Sequence, residues 1–130
     1  MNARLFACFL LTAGCTIRTG NDGPDLEDVD APAVVALNRD GRYVFEPKVR
    51  FRDPDGDDVA EARISYTTAA GESDKLVLLF PSRERASSGT VKITLAFPPE
   101  AKGEVSYEIV LVDEKGNQSS PVKRSTALMP

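Results

Sequence analysis

One stretch of the chain concentrates side chains that could do chemistry. In DPDGDD, residues 53 to 58, the side chains of Asp53, Asp55, Asp57 and Asp58 place four carboxylates within six residues. A hard cation such as calcium takes about six to eight oxygen donors, and a run this acidic can supply several of them. The EF-hand pattern does not fit: glycine is the fourth residue of the run, not the sixth, and the twelfth position counted from Asp53 is Ile64. Asp-Pro-Asp-Gly is also a strong turn sequence that needs no metal. A calcium site and a plain acidic turn both follow from these residues.

Other chemistry is thin. The chain contains no histidine, which removes the commonest general base and the commonest metal ligand together. Ser87, Ser88, Ser119 and Ser120 therefore have no imidazole to activate them, and no motif puts a lysine in that role. Glycoside hydrolysis by a carboxylate pair needs two acids across a cleft, and a small domain of short strands offers no evident cleft. A non-catalytic protein is the expectation. The net charge is −4, opposite in sign to the basic stripe that nucleic acid requires, so no nucleic-acid partner is expected.

The only two cysteines, Cys8 and Cys15, lie at the extreme N-terminus, so a disulfide framework is excluded. Arg4 is followed by the apolar run Leu5 to Leu11, and no further charge occurs before Arg18. That is the pattern of a secretory signal, and it is too short to span a bilayer, which takes about 20 residues. Leu11-Thr12-Ala13-Gly14-Cys15 sets small residues directly before a cysteine. This stretch resembles the lipobox of bacterial lipoproteins, with Thr12 standing where leucine is usual. The resemblance implies removal of residues 1–14, a diacylglycerol thioether on Cys15, and a lipid anchor in a membrane of the cell envelope. Cys8 would leave with the signal. Each buried CH₂ contributes about 0.8 kcal/mol, so one acyl chain holds weakly and two or three hold firmly. Thr16 follows the cysteine; in enteric lipoproteins an aspartate there favours inner-membrane retention, so its absence favours the outer membrane if the source is Gram-negative. Residues 15–32 are rich in acids, glycine and proline. They read as a flexible, self-repelling linker with a reach of roughly 23 Å.

From Ala33 the pattern changes to period two. Tyr43 to Arg52, Ala62 to Tyr66, Val91 to Phe97 and Val105 to Val112 alternate apolar and polar residues. Lys75 to Phe80 is a short apolar run, and Ala33–Leu37 and Val122–Leu128 complete a count of seven strands. Pro47 removes a ladder donor, which predicts an edge strand or two pieces joined at a bulge. Turn formers fill the gaps between the strands. Residues 33–130 are therefore expected to form an all-β, seven-stranded Greek-key sandwich.

Leu95 to Val122 resembles the closing strands of fibronectin type III and bacterial immunoglobulin-like domains. The matching residues are Tyr107, Val112, Asp113, Gly116, Asn117 and Ser119, with one position of slack in the spacing. The resemblance implies that Tyr107 is a tyrosine corner whose hydroxyl bonds to backbone across the preceding turn. Val49 to Val59 is similar to the acidic turn after the second strand of many bacterial immunoglobulin-like and cadherin-like repeats. These likenesses bear on fold and carry no function with them.

In such a sandwich the second-to-third, fourth-to-fifth and sixth-to-seventh loops share one pole. Asp113, Glu114 and Asn117 then approach the four aspartates. A calcium ligand set of Asp53, Asp55, Asp57, Asp58 and Asp113 is one expectation. Neutralisation by Arg83 and Arg85, with Arg50 and Arg52 nearby, is the other. Val110 and Val112 are apolar on the outward side of the sixth strand, which marks either an interface or cover by neighbouring side chains. The combined expectation is a lipid-anchored, non-catalytic envelope protein presenting an immunoglobulin-like domain to a protein or polysaccharide. Its rivals are a structural accessory subunit of an envelope complex and a calcium-dependent adhesion module. Only the last of these requires a cofactor, calcium.

Overall fold

Period-two sequences become strands, and the computed structural model describes them over residues 22–130. The signal stretch, Cys8 and Cys15 lie outside the described residues. The strands are β1 (Asp25–Asp30), β2 (Val34–Ala36), β3 (Tyr43–Phe45), β4 (Lys48–Arg52) and β5 (Val59–Thr67), then β6 (Ser73–Leu79), β7 (Ser88–Lys92), β8 (Leu95–Phe97), β9 (Gly103–Asp113) and β10 (Val122–Met129). Single 3₁₀ turns occur at Ser82–Glu84 and Pro99–Ala101.

Several of these segments are halves of one strand. Tyr43 pairs with Phe97 and Phe45 with Leu95, and the same register continues from Lys48 opposite Lys92 to Arg52 opposite Ser88. Pro47 sits at the join. Its carbonyl accepts the N–H of Ile93 at 3.0 Å, but a proline has no N–H with which to return the bond. The ladder therefore loses one bond there without slipping. The run is therefore two pieces, as expected, but joined without a bulge: β3 pairs only with β8, whereas β4 is interior, between β1 and β7.

With β3–β4 and β7–β8 each counted once, and β1–β2 as one strand that changes sheet, the chain makes seven strands in two sheets. One contains β1, β3–β4 and β7–β8; the other has the order β2-β10-β9-β5-β6. The two pack as a sandwich. Tyr43, Phe45, Val49, Phe51, Ile93 and Leu95 from the first sheet meet Ala62, Ile64, Val105, Tyr107, Ile109 and Leu111 from the second in one buried cluster.

The first strand starts earlier than the sequence suggests. Asp25–Asp30 lies within the stretch expected to be linker, yet β1 pairs antiparallel with β4. Its acids meet a basic strand: Asp25 lies opposite Arg52, Asp28 opposite Arg50 and Asp30 opposite Lys48. Glu27, at the irregularity in this pairing, has Oε1 3.7 Å from Arg50 Nε and Oε2 3.9 Å from Arg52 Nε. Leu26 and Val29 pack against the core. Self-repulsion is cancelled by the partner strand, and two apolar residues gain a buried face. The chain then crosses to the other sheet, where buried Thr126 donates its hydroxyl to the carbonyl of Pro32 at 2.9 Å.

Two further expectations are corrected. Tyr107 is buried and its ring lies 5.9 Å from that of Phe45, but its hydroxyl has no hydrogen-bond partner among the described residues. It is not a tyrosine corner: the ring packs against Phe45 of the facing sheet, and the hydroxyl bonds to no backbone group among the described residues. An unpartnered buried hydroxyl costs about 1–3 kcal/mol. Tyr107→Phe is therefore expected to leave stability unchanged or raise it by about 1 kcal/mol in urea denaturation, whereas a corner tyrosine would lose about that much. Val112 is only 3% exposed. The returning segment bridges it at Gln118, and Ser119 next to that bridge exchanges bonds with Leu111. Val112 therefore offers no free apolar surface. Val110 remains half-buried.

Candidate functional site

Alternating strand direction collects three loops at one end of the sandwich. The N–H of Asp53 donates to Ser87 O at 2.7 Å, that of Val59 to Ala86 O at 2.8 Å, and that of Glu114 to Asp58 O at 2.9 Å. The loops after β4, β6 and β9 are thereby knitted together. The N-terminal segment reaches the same pole, where the Asp22 N–H donates to Asp55 Oδ2 at 3.0 Å.

Two of these loops are built alike. In Asp53-Pro54-Asp55-Gly56-Asp57, the Oδ1 of Asp53 accepts the N–H groups of Asp55 at 2.9 Å and Asp57 at 3.3 Å. In Asp113-Glu114-Lys115-Gly116-Asn117, the Oδ1 of Asp113 accepts those of Lys115 at 3.0 Å and Asn117 at 2.9 Å. Each loop turns on a glycine with positive φ, +77° at Gly56 and +86° at Gly116, a conformation strained for any other residue. An Asx cap of this kind needs only one carboxylate oxygen.

The other oxygen is what makes the pole unusual. Asp53 is 4% exposed and Asp113 is 2% exposed. The two carboxylates are electrostatic neighbours, and the Oδ2 of each is buried with no hydrogen-bond partner among the described residues. Burial raises the Asp53 carboxyl above its ordinary value; the N–H groups of Asp55 and Asp57 pull it back, and neighbouring Asp113 raises it again. Asp57 contributes a third buried, unpartnered Oδ2. Carboxylate oxygens of Asp53, Asp55 and Asp57 lie within 4.8 Å of one another. Asp58 joins the pole through its backbone carbonyl.

Of the arginines expected to neutralise this group, Arg85, Arg50 and Arg52 are engaged elsewhere, and Arg83 is exposed and makes no ion pair with these aspartates among the described residues. Arg85 pairs with Glu114 at 3.1 Å and donates Nε to Phe80 O at 2.8 Å. Arg50 and Arg52 face Glu27. Lys115 Nζ approaches Asp57 Oδ1 at 3.3 Å from a side chain that is 60% exposed, and a surface pair of that kind contributes about 0–1 kcal/mol. Asp113 was legible in the sequence as a loop acid. Its kinship with Asp53 was legible too, in the repeated Asp-x-x-Gly-Asx spacing, although that spacing does not say that the two loops meet.

The second feature is the sheet edge at β6. Val77 is 56% exposed and Leu79 is 72% exposed, and they lie opposite Arg63 and Glu61 on β5. Val110 lies opposite Arg63 from the other side. The two charged residues pair with each other at 2.6 Å, so apolar side chains flank a mutually neutralised ion pair on the outer face.

Comparison with solved structures defines the class of fold. The chain is similar to the PKD domain of an M14-like peptidase from a Thermoplasmatales archaeon, with 14% identity over 85% of this chain and 99% of that one, at a TM-score of 0.53. It is similar to part of a β-glucuronidase from Parabacteroides merdae, with 9% identity over 81% of this chain and 13% of that one, at a TM-score of 0.59. A superoxide reductase (neelaredoxin) from Ignicoccus hospitalis matches with 10% identity over 82% of this chain and 80% of that one, at a TM-score of 0.54. No protein-family model matches the sequence, and no curated protein matches it. At these identities the likeness is one of fold. The described chain is an all-β sandwich of the immunoglobulin-like class.

Proposed function

We propose that the chain is a lipid-anchored, non-catalytic protein of the cell envelope whose immunoglobulin-like domain binds another envelope protein or a polysaccharide. The observation that carries the binding reading is the edge of β6. It leaves Val77 and Leu79 exposed beside Val110, at the end of a sheet whose unpaired backbone groups can accept another strand. Leu11-Thr12-Ala13-Gly14-Cys15 supports the anchor, and the negative net charge argues against nucleic acid. An outer-membrane location is the proposal for a Gram-negative source.

Membrane fractionation tests the anchor. Cys15→Ser is expected to move the protein from the detergent phase to the soluble fraction, and Cys8→Ser is expected to change nothing in the mature protein. A Cys15→Ser protein that still partitions with detergent would show that the lipid reading is wrong. Crosslinking in intact cells, followed by mass spectrometry, then identifies the partner. Val77→Lys with Leu79→Lys should remove that crosslink while leaving the domain folded. Stoichiometric co-purification with one assembly would mark a structural accessory subunit instead. A second reading, a calcium-dependent adhesion module, is favoured by the buried carboxylates at the pole.

A further inference from the structure

We propose that the pole between the two Asx-capped loops is a calcium site, with Asp53, Asp55 and Asp57, whose carboxylate oxygens lie within 4.8 Å of one another, as its core and Asp113 of the second loop as a further donor. It is carried by buried oxygens that no hydrogen-bond partner among the described residues satisfies. Asp53 and Asp113 are 4% and 2% exposed, and each spends Oδ1 on its own loop. The Oδ2 atoms of Asp53, Asp57 and Asp113 are left buried without partners among the described residues. Two like charges held near one another away from water repel, and leaving them there without a counter-charge is costly. Arg85, Arg50 and Arg52 are committed to Glu114 and Glu27. Lys115 Nζ lies 3.3 Å from Asp57 Oδ1, the oxygen that is not buried without a partner.

A hard divalent ion fits this donor set. All the donors are oxygens, they come from loops and not from a rigid frame, and the set carries enough negative charge for a divalent cation. Calcium tolerates irregular coordination at about 2.3–2.6 Å, whereas magnesium demands a near-octahedral shell and gives up its water reluctantly. The amide of Asn117 strengthens the case: its Nδ2 is buried without an acceptor, and turning the amide over would present Oδ1 instead. Occupancy would fasten the loop after β4 to the loop after β9, beside the point where Asp22 meets Asp55. The site is a property of the folded domain and stands whether or not Cys15 carries lipid.

The test uses the full chain purified in detergent. Calorimetric titration with calcium chloride is expected to show one site. Millimolar calcium should raise Tm by about 5 °C or more over the chelator-treated protein, since a ligand bound only by the folded state stabilises it in proportion to its saturation. Asp53→Asn and Asp113→Asn keep the Oδ1 acceptor of each cap and so should fold in chelator, yet lose the shift and at least tenfold in calcium affinity. Asp57→Asn, in a less buried position, is a second variant with the same expectation. Asp74→Asn, on the edge strand β6, should behave as the parent does. Magnesium should give a smaller shift, and an equal one would overturn the assignment to calcium. Coincident melting curves in calcium and chelator with no heat of titration would overturn the site, as would Asn variants that retain the shift.

Discussion

Replacing Ile109 by alanine is expected to cost about 2–5 kcal/mol of folding stability, enough to move Tm by about 10 °C or more in a domain of this size. Ile109 has no exposed surface. It sits mid-strand on β9, opposite Ile64 on β5 and Val122 on β10, so its backbone is held on both sides and cannot move inward to close a cavity. A buried large-to-small change loses the transfer free energy of the deleted groups and the contacts around the void left behind. Ile93→Ala, also fully buried but on the facing sheet, should behave alike. Leu79→Ala is the control, because that side chain is 72% exposed and a surface change is expected within about 0.5 kcal/mol. Urea denaturation of the three variants checks this. Equal midpoints for Ile109→Ala and Leu79→Ala would mean that β9 is not the centre of the core.

Gly23→Ala is expected to destabilise by about 1–3 kcal/mol, the usual cost of forcing atoms into a packed site. A Cβ built on Gly23 would clash with both the carbonyl oxygen and the carbonyl carbon of Gln118. Both are backbone atoms, so no rotamer change relieves the clash. Either the segment after β9 shifts, loosening the Ser119–Leu111 bonds, or the N-terminal segment lifts away and takes buried Pro24 and half-buried Leu26 with it. Stability by denaturation, combined with protease sensitivity near residues 22–30, reads both routes. A Gly23→Ala chain as stable as the parent would contradict the docking of this segment.

The geometry that makes Gly23 sensitive was not readable in its own neighbourhood. Acids, glycine and proline around it signal linker, and by local composition that is correct. What turns Asp25–Asp30 into a strand is the basic face Lys48-Arg50-Arg52, which long-range pairing lays alongside it. The acidic pole follows the same logic: each Asp-x-x-Gly-Asx turn is written locally, but Asp53 and Asp113 come near one another only once β4 and β9 end at the same pole.

The sequence by itself determined which residues face inward. Alternation at period two reports each residue's own side of its strand, and that needs no knowledge of partners. Tyr43, Phe45, Val49, Phe51, Val105, Ile109 and Leu111 were legible as core for that reason, and the turn chemistry separating them was legible too. Tertiary structure decided the rest. It left the hydroxyl of Tyr107 without a partner among the described residues, covered Val112 with the segment carrying Gln118, sent Arg85 to Glu114, and joined β3 to β4 at Pro47 without a bulge. Each of these depends on which strands become neighbours and in what register. Those choices are made by contacts between residues far apart in the chain, whereas periodicity records only how each strand presents its faces.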